Sequence, residues 1–215
     1  MATQLKIDFV SDVSCPWCVI GLKSLETALG NIKGDVAVDL HFQPFELNPQ
    51  MGADGQDIVE HIAQKYGSSP ADIERNRENI TARGAAVGFQ FNMKKRGRIY
   101  NTFDAHRLLH WAEMEGKQEA LKNALFSAYF TDGLNPSDHA VLVGVAQKVG
   151  LDPRRAAAIL ASNEFATEVR EREKFYTDRG IQAVPSVIIN DQHLIQGGQP
   201  AEVFERALRQ LAESA

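Results

Sequence analysis

Two stretches near the start of the chain alternate apolar and polar residues with a period of two. They cover residues 5–10 and 36–42, and this period is typical of β-strands with one buried face. Between them, residues 15–29 carry apolar side chains at helical spacing, with Gly30 available to end a helix. The order strand, helix, strand predicts a βαβ unit with parallel strands and a right-handed crossover.

A second strand-rich pattern lies near the C-terminal end. A β-branched strand opens at Val184-Pro185, and residues 190–192 predict a tight turn into a returning strand at 193–196. Gly197-Gly198 follows, and Pro200 is suited to the first turn of a final amphipathic helix. These elements predict a ββα unit, which would join the βαβ unit in a small mixed sheet with helices on its faces.

Residues 49–179 show only helical periodicity, interrupted by glycine and proline. Seven helices are predicted there: 56–66, 70–87, 102–115, 116–130, 137–149, 153–161 and 164–179. We therefore predict an α/β protein with one sheet-containing domain made of residues 1–48 and 180–215. Residues 49–179, which we call the helical block, are predicted to form an inserted all-helical subdomain.

Three local patterns in the helical block carry further predictions. The apolar loop Gly88–Met93 is expected to pack on a neighbouring helix rather than to line a pocket. The basic run Lys94–Arg98 is expected to be a solvated loop rather than an anion site. Four apolar residues of the helix predicted at 102–115 are expected in the core: Phe103, Leu108, Leu109 and Trp111.

Composition narrows the classes of protein that remain. The chain has 215 residues, 44% of them hydrophobic, and a net charge of −5. This is enough apolar material for a substantial core, and the acidic balance argues against a nucleic-acid partner. No stretch resembles a signal-peptide core or a membrane span. We therefore expect a cytoplasmic protein without a membrane partner.

The candidate chemistry lies at the junction between the first strand and the first helix. Cys15, Pro16, Trp17 and Cys18 occupy this junction, and the chain has no other cysteine. Residues three apart share a helix face, so the two sulfur atoms can meet. The positive end of the helix dipole favours a thiolate on Cys15, with Cys18 as the resolving thiol. This hypothesis places both sulfur atoms in bonding range at an exposed helix tip.

Two other interpretations of the pair stay open. A structural zinc site needs two more ligands, and among the six histidines only His106 and His110 have a suitable spacing. In the third interpretation the cysteines are small buried residues without reactivity. Redox chemistry is favoured because structural disulfides are rare in the cytoplasm, where an isolated Cys-x-x-Cys pair is more often catalytic.

The order of elements and motifs resembles a known group of proteins. A βαβ unit with Cys-x-x-Cys at its helix, followed by ββα whose first strand opens on proline, resembles the thioredoxin fold, and the helical block narrows this to the DsbA-like group. Six motifs look like the FrnE branch of that group: Cys15–Cys18 with Ile20-Gly21, Pro44–Pro49, Asn101-Thr102, Ala105–Leu108, Val184–Ser186 and Gly197–Pro200. They extend over nearly the whole chain.

The resemblance implies thiol-disulfide exchange with a protein or a small-molecule substrate, by an oxidoreductase or isomerase. Cys15 takes the role of the attacking cysteine and Cys18 that of the resolving cysteine. Pro185 takes the place of the cis-proline that faces the disulfide. Four residues are expected to shape the surface that the substrate meets: Pro16, Trp17, Val184 and Pro185. No metal or organic cofactor is expected, and the chain is expected to be a monomer or a homodimer.

Two features depart from the strongly oxidising members of the group. These members carry histidine at the position of Trp17, which supplies no positive charge to a thiolate. The pKa of Cys15 is therefore expected to be lowered less, making the protein a weaker oxidant. The second feature is the missing export signal, since a cytoplasmic thiol pool would keep the cysteine pair largely reduced. Reductase or isomerase activity is therefore at least as strong a candidate as net oxidation.

Two alternative functions are carried forward. Kappa-class glutathione transferases and chromene-carboxylate isomerases resemble this chain in Asn101-Thr102 and Ala105–Leu108. They use a serine at the position of Cys15. Because a cysteine there would form a mixed disulfide with glutathione, glutathione is a candidate partner of this chain. The other alternative is a chaperone-like binding module in which an apolar groove near Trp17 and Pro185 holds unfolded segments.

Overall fold

The first half of the sheet forms the βαβ unit. The computed structural model describes residues 4–52 and 54–213. Strand β1 (Gln4–Ser11), helix α1 (Pro16–Asn31) and strand β2 (Ala37–Pro44) follow one another. β1 and β2 pair in parallel over eight residue pairs. The predicted parallel βαβ unit is confirmed.

The C-terminal elements complete the sheet. β5 (Ser186–Ile189) pairs antiparallel with β1 and with β6 (His193–Gln196), and helix α9 (Ala201–Glu213) follows. The sheet order is β2-β1-β5-β6, with β1 and β5 in the middle. The turn between β5 and β6 places Asn190 and Asp191 at φ of 51° and 58°, a conformation that Asn and Asp tolerate in tight turns. The predicted ββα unit is therefore confirmed.

The helical block contains all seven predicted helices. They are α2 (Ile58–Tyr66), α3 (Pro70–Ala86), α4 (Phe103–Met114), α5 (Gln118–Phe130), α6 (His139–Lys148), α7 (Pro153–Leu160) and α8 (Ala166–Asp178). The side chains of Ser69 and Asp152 accept backbone N–H groups at the starts of α3 and α7. Each cap is followed by proline in the first helical turn, which explains why these starts are readable from the sequence.

The prediction that the helical block is purely helical was wrong. β3 (Gln56–Asp57) and β4 (Arg98–Ile99) form a second, two-stranded antiparallel sheet. A strand of two residues is too short to show a period of two, so the pattern gave no sign of it. This small sheet joins the two ends of the stretch that holds α2 and α3.

The helical block shares its hydrophobic core with the large sheet. Phe89 and Phe91 of the apolar loop pack in the same buried cluster as β1 and α1, and the ring of Phe91 lies 5.3 Å from that of Phe130. The prediction that this loop packs on a helix is confirmed. A second cluster lies among α4, α5, α6 and α7. The domain division at 48/49 and 179/180 stays a prediction, and residues 1–3, 53, 214 and 215 lie outside the described residues.

Two predictions within the helical block need correction. Arg96 is buried, with its guanidinium 5.0 Å from the Tyr129 ring centroid and 4.9 Å from that of Phe130. It donates to the backbone oxygen of Ser14 at 3.1 Å. Arg96 is therefore not solvated as predicted, because aromatic faces and a carbonyl oxygen replace water around its guanidinium. Phe103 is only partly buried, under the guanidinium of Arg170 at 3.8 Å.

Leu108, Leu109 and Trp111 are buried, as predicted for the core. Among residues 4–52 and 54–213, no helix is long and apolar enough to cross a membrane.

Candidate functional site

The two cysteines lie at the start of α1, where the sequence places them. Cys15 is the N-cap residue, with φ −92° and ψ 114°, and Pro16 stands in the first helical turn. The backbone N–H of Cys15 donates to the oxygen of Asp12 at 3.2 Å, and that of Cys18 donates to the oxygen of Cys15 at 3.1 Å. Both cysteines are free thiols. The missing N–H of proline costs nothing in this turn, so the motif suits a helix start.

The two thiols are chemically unlike each other. A hydrogen bond from the Cys18 thiol lowers the pKa of Cys15, and the backbone N–H groups of Cys18 and Trp17 act in the same direction. Burial and the carboxylate of Asp12 oppose this lowering. Burial, together with the bond to Cys15, raises the pKa of Cys18 well above its ordinary value. Cys15 is therefore the thiol that ionises first.

The expectation of an exposed helix tip was wrong. Cys15 exposes 3% of its surface and Cys18 none. Trp17 packs against the core cluster and keeps only part of its surface exposed. Of the two cysteines, only Cys15 retains any exposed surface.

The loop before β5 faces Cys15. The Val184–Pro185 peptide bond is cis, as the resemblance implies. The Cys15 thiol donates to the carbonyl oxygen of Val184, with 3.6 Å between the two atoms. Val184 is half-buried, and its backbone N–H has no hydrogen-bond partner among the described residues. A substrate chain beside Cys15 would therefore find an unpaired donor within the same loop.

Two glycines allow the close approach of α1 to this loop. A Cβ on Gly21 would lie 3.0 Å from Cγ of Pro185 and 3.4 Å from Cα of Gly198. A Cβ on Gly198 would lie 3.1 Å from the backbone oxygen of Trp17. The glycines of two sequence motifs thus have one physical reason, because they bring Pro185 and the Cys15–Cys18 turn into contact.

Asp12 joins the site to the helical block. This buried carboxylate accepts the N–H of Leu47 at 2.8 Å and that of Ser14 at 3.2 Å, and the imidazole of His106 on α4 lies 3.7 Å away. Burial alone would raise the pKa of Asp12, but His106 and the N–H groups of Leu47 and Ser14 outweigh it and lower the pKa. Two residues from separate sequence motifs, Leu47 and His106, therefore meet around one negative charge.

Other motif residues hold the helices together and do not reach the thiols. The buried Glu46 contacts Arg170 and accepts from Nδ2 of Asn101 at 3.3 Å. The buried Arg107 binds the side chain of Asp104 at 2.8 Å. Three backbone oxygens also accept from it: those of Ile159, Ser162 and Glu164. Arg107 thus ties α4 to α7 and to the segment before α8, while Glu46 binds α8 itself.

Sequence reasoning missed Lys122 on α5. Its side chain is fully buried, and its Nζ lies 5.1 Å from the Phe126 ring centroid without a hydrogen-bond partner among the described residues. Burial lowers the pKa of Lys122 to about 8, whereas Cys18, Asp12 and Cys15 act to raise it. The one available signal was a lysine set among the apolar positions of a helix, four residues before Phe126.

The histidine pair of the zinc hypothesis is divided between different surroundings. His106 approaches the backbone oxygen of Phe45 at 3.1 Å, whereas the ring of His110 lies 5.0 Å from that of Phe165. Over residues 4–52 and 54–213, no cluster of three or more histidine, cysteine, aspartate and glutamate side chains is placed to hold a metal ion. The expectation that no cofactor is needed stays a prediction.

An open groove lies away from the thiols. It has a volume of about 610 Å³ and is lined by charged and aromatic side chains that include Asp8, His41 and Tyr176. Neither cysteine nor Pro185 lines it. The thiols therefore lie in close packing, while this open space is formed by β1, β2, α4 and α8.

Comparison with known proteins agrees with the geometry. The uncharacterized protein YwbO of Bacillus subtilis is 28% identical over 209 residues, which cover 97% of this chain and 96% of that protein. The crystal structure of a probable DsbA oxidoreductase from Streptomyces coelicolor is 34% identical. It superposes with a TM-score of 0.91, covering 98% of this chain and 90% of that one.

A more distant structure shares the fold. It is the cytosolic disulfide reductase DsbM from Pseudomonas aeruginosa with GSH, at 15% identity and a TM-score of 0.68, covering 97% of this chain and 99% of that one. Residues 6–209 match the model of one family, described as the DSBA-like thioredoxin domain. Because this match covers far more than half of the sequence, the chain belongs to the DsbA-like thioredoxin domain family.

Proposed function

We propose that this protein is a thiol-disulfide oxidoreductase or isomerase in which Cys15 attacks and Cys18 resolves. The observation that carries the proposal is the pair of free cysteines at the start of α1, where Cys15 is the N-cap residue and its thiol lies 3.6 Å from the carbonyl oxygen of Val184. The opposite displacements of their two pKa values agree with it. The family match and the oxidoreductase among the solved structures support thiol-disulfide chemistry in general. The roles of the two cysteines are our own assignment.

The reaction needs only the two sulfur atoms as electron carriers. The Cys15 thiolate attacks a substrate disulfide, forms a mixed disulfide and releases one substrate sulfur as a thiolate, which takes up a proton. Cys18 then attacks Cys15, the mixed disulfide breaks, and the second substrate sulfur leaves. The substrate gains two electrons and two protons, and the protein keeps the Cys15–Cys18 disulfide. The reverse sequence oxidises a substrate dithiol.

The surface around Cys15 is suited to extended chains. The unpaired N–H of Val184 offers the kind of backbone donor that gives affinity without demanding one sequence. Trp17 would add an apolar contact, and Pro16 and Pro185 would shape the same surface. Substrates would be proteins or low-molecular-weight thiols. The glutathione of the DsbM structure supports glutathione as one of them.

The burial of Cys15 makes access part of the proposal. Because only 3% of the Cys15 surface is exposed, we expect a bulky disulfide to reach the sulfur only when a neighbouring side chain such as Trp17 moves. We expect iodoacetamide to alkylate Cys15 in the folded protein, and Cys18 to react only after unfolding. If Cys15 resisted alkylation as Cys18 does, the proposed activity would be lost with it.

The deciding experiment traps the first intermediate. The Cys18→Ser variant, incubated with oxidised glutathione or a disulfide-bonded peptide, is expected to accumulate a mixed disulfide at Cys15 that mass spectrometry detects. The matched control, Cys15→Ser, keeps one cysteine and should form none. Absence of the adduct in Cys18→Ser, or equal amounts in both variants, would refute the assigned roles.

The direction of electron flow follows from the potential of the pair. Trp17 supplies no charge to the thiolate, so we expect a potential more reducing than that of the strongly oxidising periplasmic enzymes. A cytoplasmic location would favour reductase or isomerase work. Redox titration of the purified protein against glutathione measures the potential, and a strongly oxidising value would contradict this part of the proposal.

The two alternatives are separable by variants of the same residues. A glutathione-dependent transferase or isomerase of the kappa or chromene-carboxylate type would keep activity in Cys15→Ser, because serine can still orient a glutathione thiolate. Disulfide exchange would not survive. A chaperone-like module would suppress aggregation equally well with both cysteines replaced.

A further inference from the structure

Lys122 is a buried charge without a hydrogen-bonded partner. It is 0% exposed, and its Nζ donates no hydrogen bond to any of the described residues. The Phe126 ring at 5.1 Å is the contact that the structure gives the ammonium group. Removing an ammonium from water costs several kcal/mol unless a charge or a hydrogen bond replaces the solvent. A lysine in such a place therefore calls for a counter-charge.

Three acidic groups act on Lys122: Cys18 first, then Asp12 and Cys15. Asp12 is already bound by the N–H groups of Leu47 and Ser14 and has His106 beside it. Its charge is largely satisfied without Lys122. Arg96, the other buried cation nearby, stacks on Tyr129 and Phe130 and binds Ser14. The sulfur atoms are therefore the remaining groups whose negative charge can balance that of Lys122, through space and without a hydrogen bond.

The packing places the helix that carries this lysine, α5, against the helix that carries Cys18, α1. Cys18 and Phe126 belong to one buried cluster, in which α1 packs on α5. Cys18 is itself fully buried, so water cannot stabilise its thiolate. An ammonium in the same dry cluster interacts with a thiolate far more strongly than one at the surface would.

We propose that the buried ammonium of Lys122 stabilises the thiolate of Cys18 and so promotes the resolving step. This makes Lys122 a positioning residue, and the proposal rests on the function proposed above. In the step, Cys18 loses its proton and its sulfur bonds to the sulfur of Cys15. The bond between Cys15 and the substrate sulfur breaks, and its electron pair leaves with the substrate. The proton from Cys18 ends on the departing substrate thiol.

The thiolates of Cys15 and Cys18 are therefore stabilised by different groups. Cys15 draws its stabilisation from the N-terminal turn of α1 and from Cys18, and needs no cation from the helical block. Burial acts most strongly against the charged form of Cys18, and the charge of Lys122 and a backbone hydrogen bond with Asp12 oppose it. Loss of Lys122 should therefore slow resolution while leaving the first attack nearly unchanged.

The test is the Lys122→Met variant, which keeps an unbranched side chain and removes the charge. Reduced protein is mixed with excess oxidised glutathione, quenched in acid and examined by mass spectrometry. A nearby charge shifts a pKa by about one to three units. A shift of about two units lowers the thiolate fraction of Cys18 about 100-fold, and the higher nucleophilicity of a more basic thiolate returns about tenfold. We expect resolution about tenfold slower, with the mixed disulfide accumulating.

The control is Lys117→Met, which removes an exposed charge near the start of the same helix. It should resolve at the wild-type rate. Replacing a buried charge by an apolar side chain often leaves stability unchanged or raised, so thermal unfolding of Lys122→Met should occur no earlier than in the wild type. Resolution within twofold of the wild type in a folded Lys122→Met protein that does form the mixed disulfide would overturn the proposal.

A second measurement needs no variant. The ¹³Cε resonance of Lys122 is titrated in the reduced and in the oxidised wild-type protein; it should stand apart because exposed lysines titrate near 10.4. The pKa of Lys122 should be higher in the reduced protein, since only that form has thiolates. Equal values would overturn the inference even if mixed disulfides form. If the two pKa values of Lys122 differ but no mixed disulfide forms, the proposed function alone is refuted.

Discussion

The sheet with α1 and α9 and the helical block contribute different things to the site. Both cysteines, Pro185 and its glycine contacts lie on or beside the sheet elements. His106 and Lys122, which act on Asp12 and Cys18, come from α4 and α5 of the block. The reactive atoms are thus held by one region and their electrostatic surroundings by the other. Changes in the block should alter stability or rates without removing the chemistry.

The largest expected effect tests how the block is anchored. Arg107→Met leaves the side chain of Asp104 and three backbone oxygens of the 159–164 segment without their cation. Breaking a buried charged contact of this kind costs about 3–5 kcal/mol. We expect urea unfolding to show this loss, with amide exchange in α7 and α8 accelerated before that in the sheet.

The exposed Arg154 on α7 provides the control. Arg154→Met should change the free energy of unfolding by less than about 0.5 kcal/mol. A loss below about 1 kcal/mol in Arg107→Met would show that the block does not depend on this anchor.

The next prediction compares one substitution in the two regions. Gly21 and Gly144 both lie within helices, where Ala is favoured over Gly by up to about 1 kcal/mol. A Cβ on Gly144 meets nothing within 4 Å, whereas one on Gly21 lies 3.0 Å from Pro185. Overpacking of that kind costs about 1–3 kcal/mol.

We therefore expect Gly144→Ala to be stabilising and Gly21→Ala to be destabilising, with about 2 kcal/mol between their free energies of unfolding in denaturant titrations. Gly21→Ala should also change the alkylation rate of Cys15. Equal stabilities would mean that the contact between α1 and the Pro185 loop is loose.

A third prediction concerns the charge on Cys15. The hydrogen bond from Cys18 is the main cause of its lowered pKa. Cys18→Ala removes the donor and Cys18→Ser keeps one, so the pKa of Cys15 should rise in Ala more than in Ser, by about one unit for the loss of a hydrogen bond of about 1.4 kcal/mol.

The measurement is the rate of alkylation of Cys15 against pH. Below the pKa the thiolate fraction falls about tenfold per pH unit, so the midpoint should lie below the ordinary thiol value in the wild type and move upward in Cys18→Ala. Coincident curves for Ser and Ala would assign the lowering to the helix turn alone.

The smallest effect is expected at the edge between the two regions. The guanidinium of Arg83 on α3 lies 5.3 Å from the Trp17 ring centroid and donates to the backbone oxygen of Gly198 at 2.8 Å. Exposed cation–π contacts contribute about 0.5–1 kcal/mol. Arg83→Met should therefore speed alkylation of Cys15 about two- to fivefold and change Trp17 fluorescence. The Arg75→Met change on the same helix, at an exposed side chain that pairs with Asp72, should leave both signals unaltered.

Much of the fold was predictable because its signals are local. The order of strands and helices follows from periods of 2 and 3.6, and helix starts from caps such as Ser69 and Asp152. The strands β3 and β4 were not predictable, since two residues carry no period. Arg96 was misplaced for a related reason. Its binding partner Ser14 is 82 positions away. A run of basic residues by itself predicts a solvated loop and gives no sign of such a distant partner.

The sequence by itself determined the element order, the cysteine pair at a helix start and, through its resemblance, the family. It could not determine the surroundings of those cysteines. Cys15 and Val184 are 169 positions apart along the chain, and the charge of Lys122 acts on Cys18 only because α5 packs on α1. Burial and long-range charge depend on which remote segments pack together, so only the tertiary structure decided that the two cysteines are shielded and that a buried cation belongs to their electrostatic surroundings.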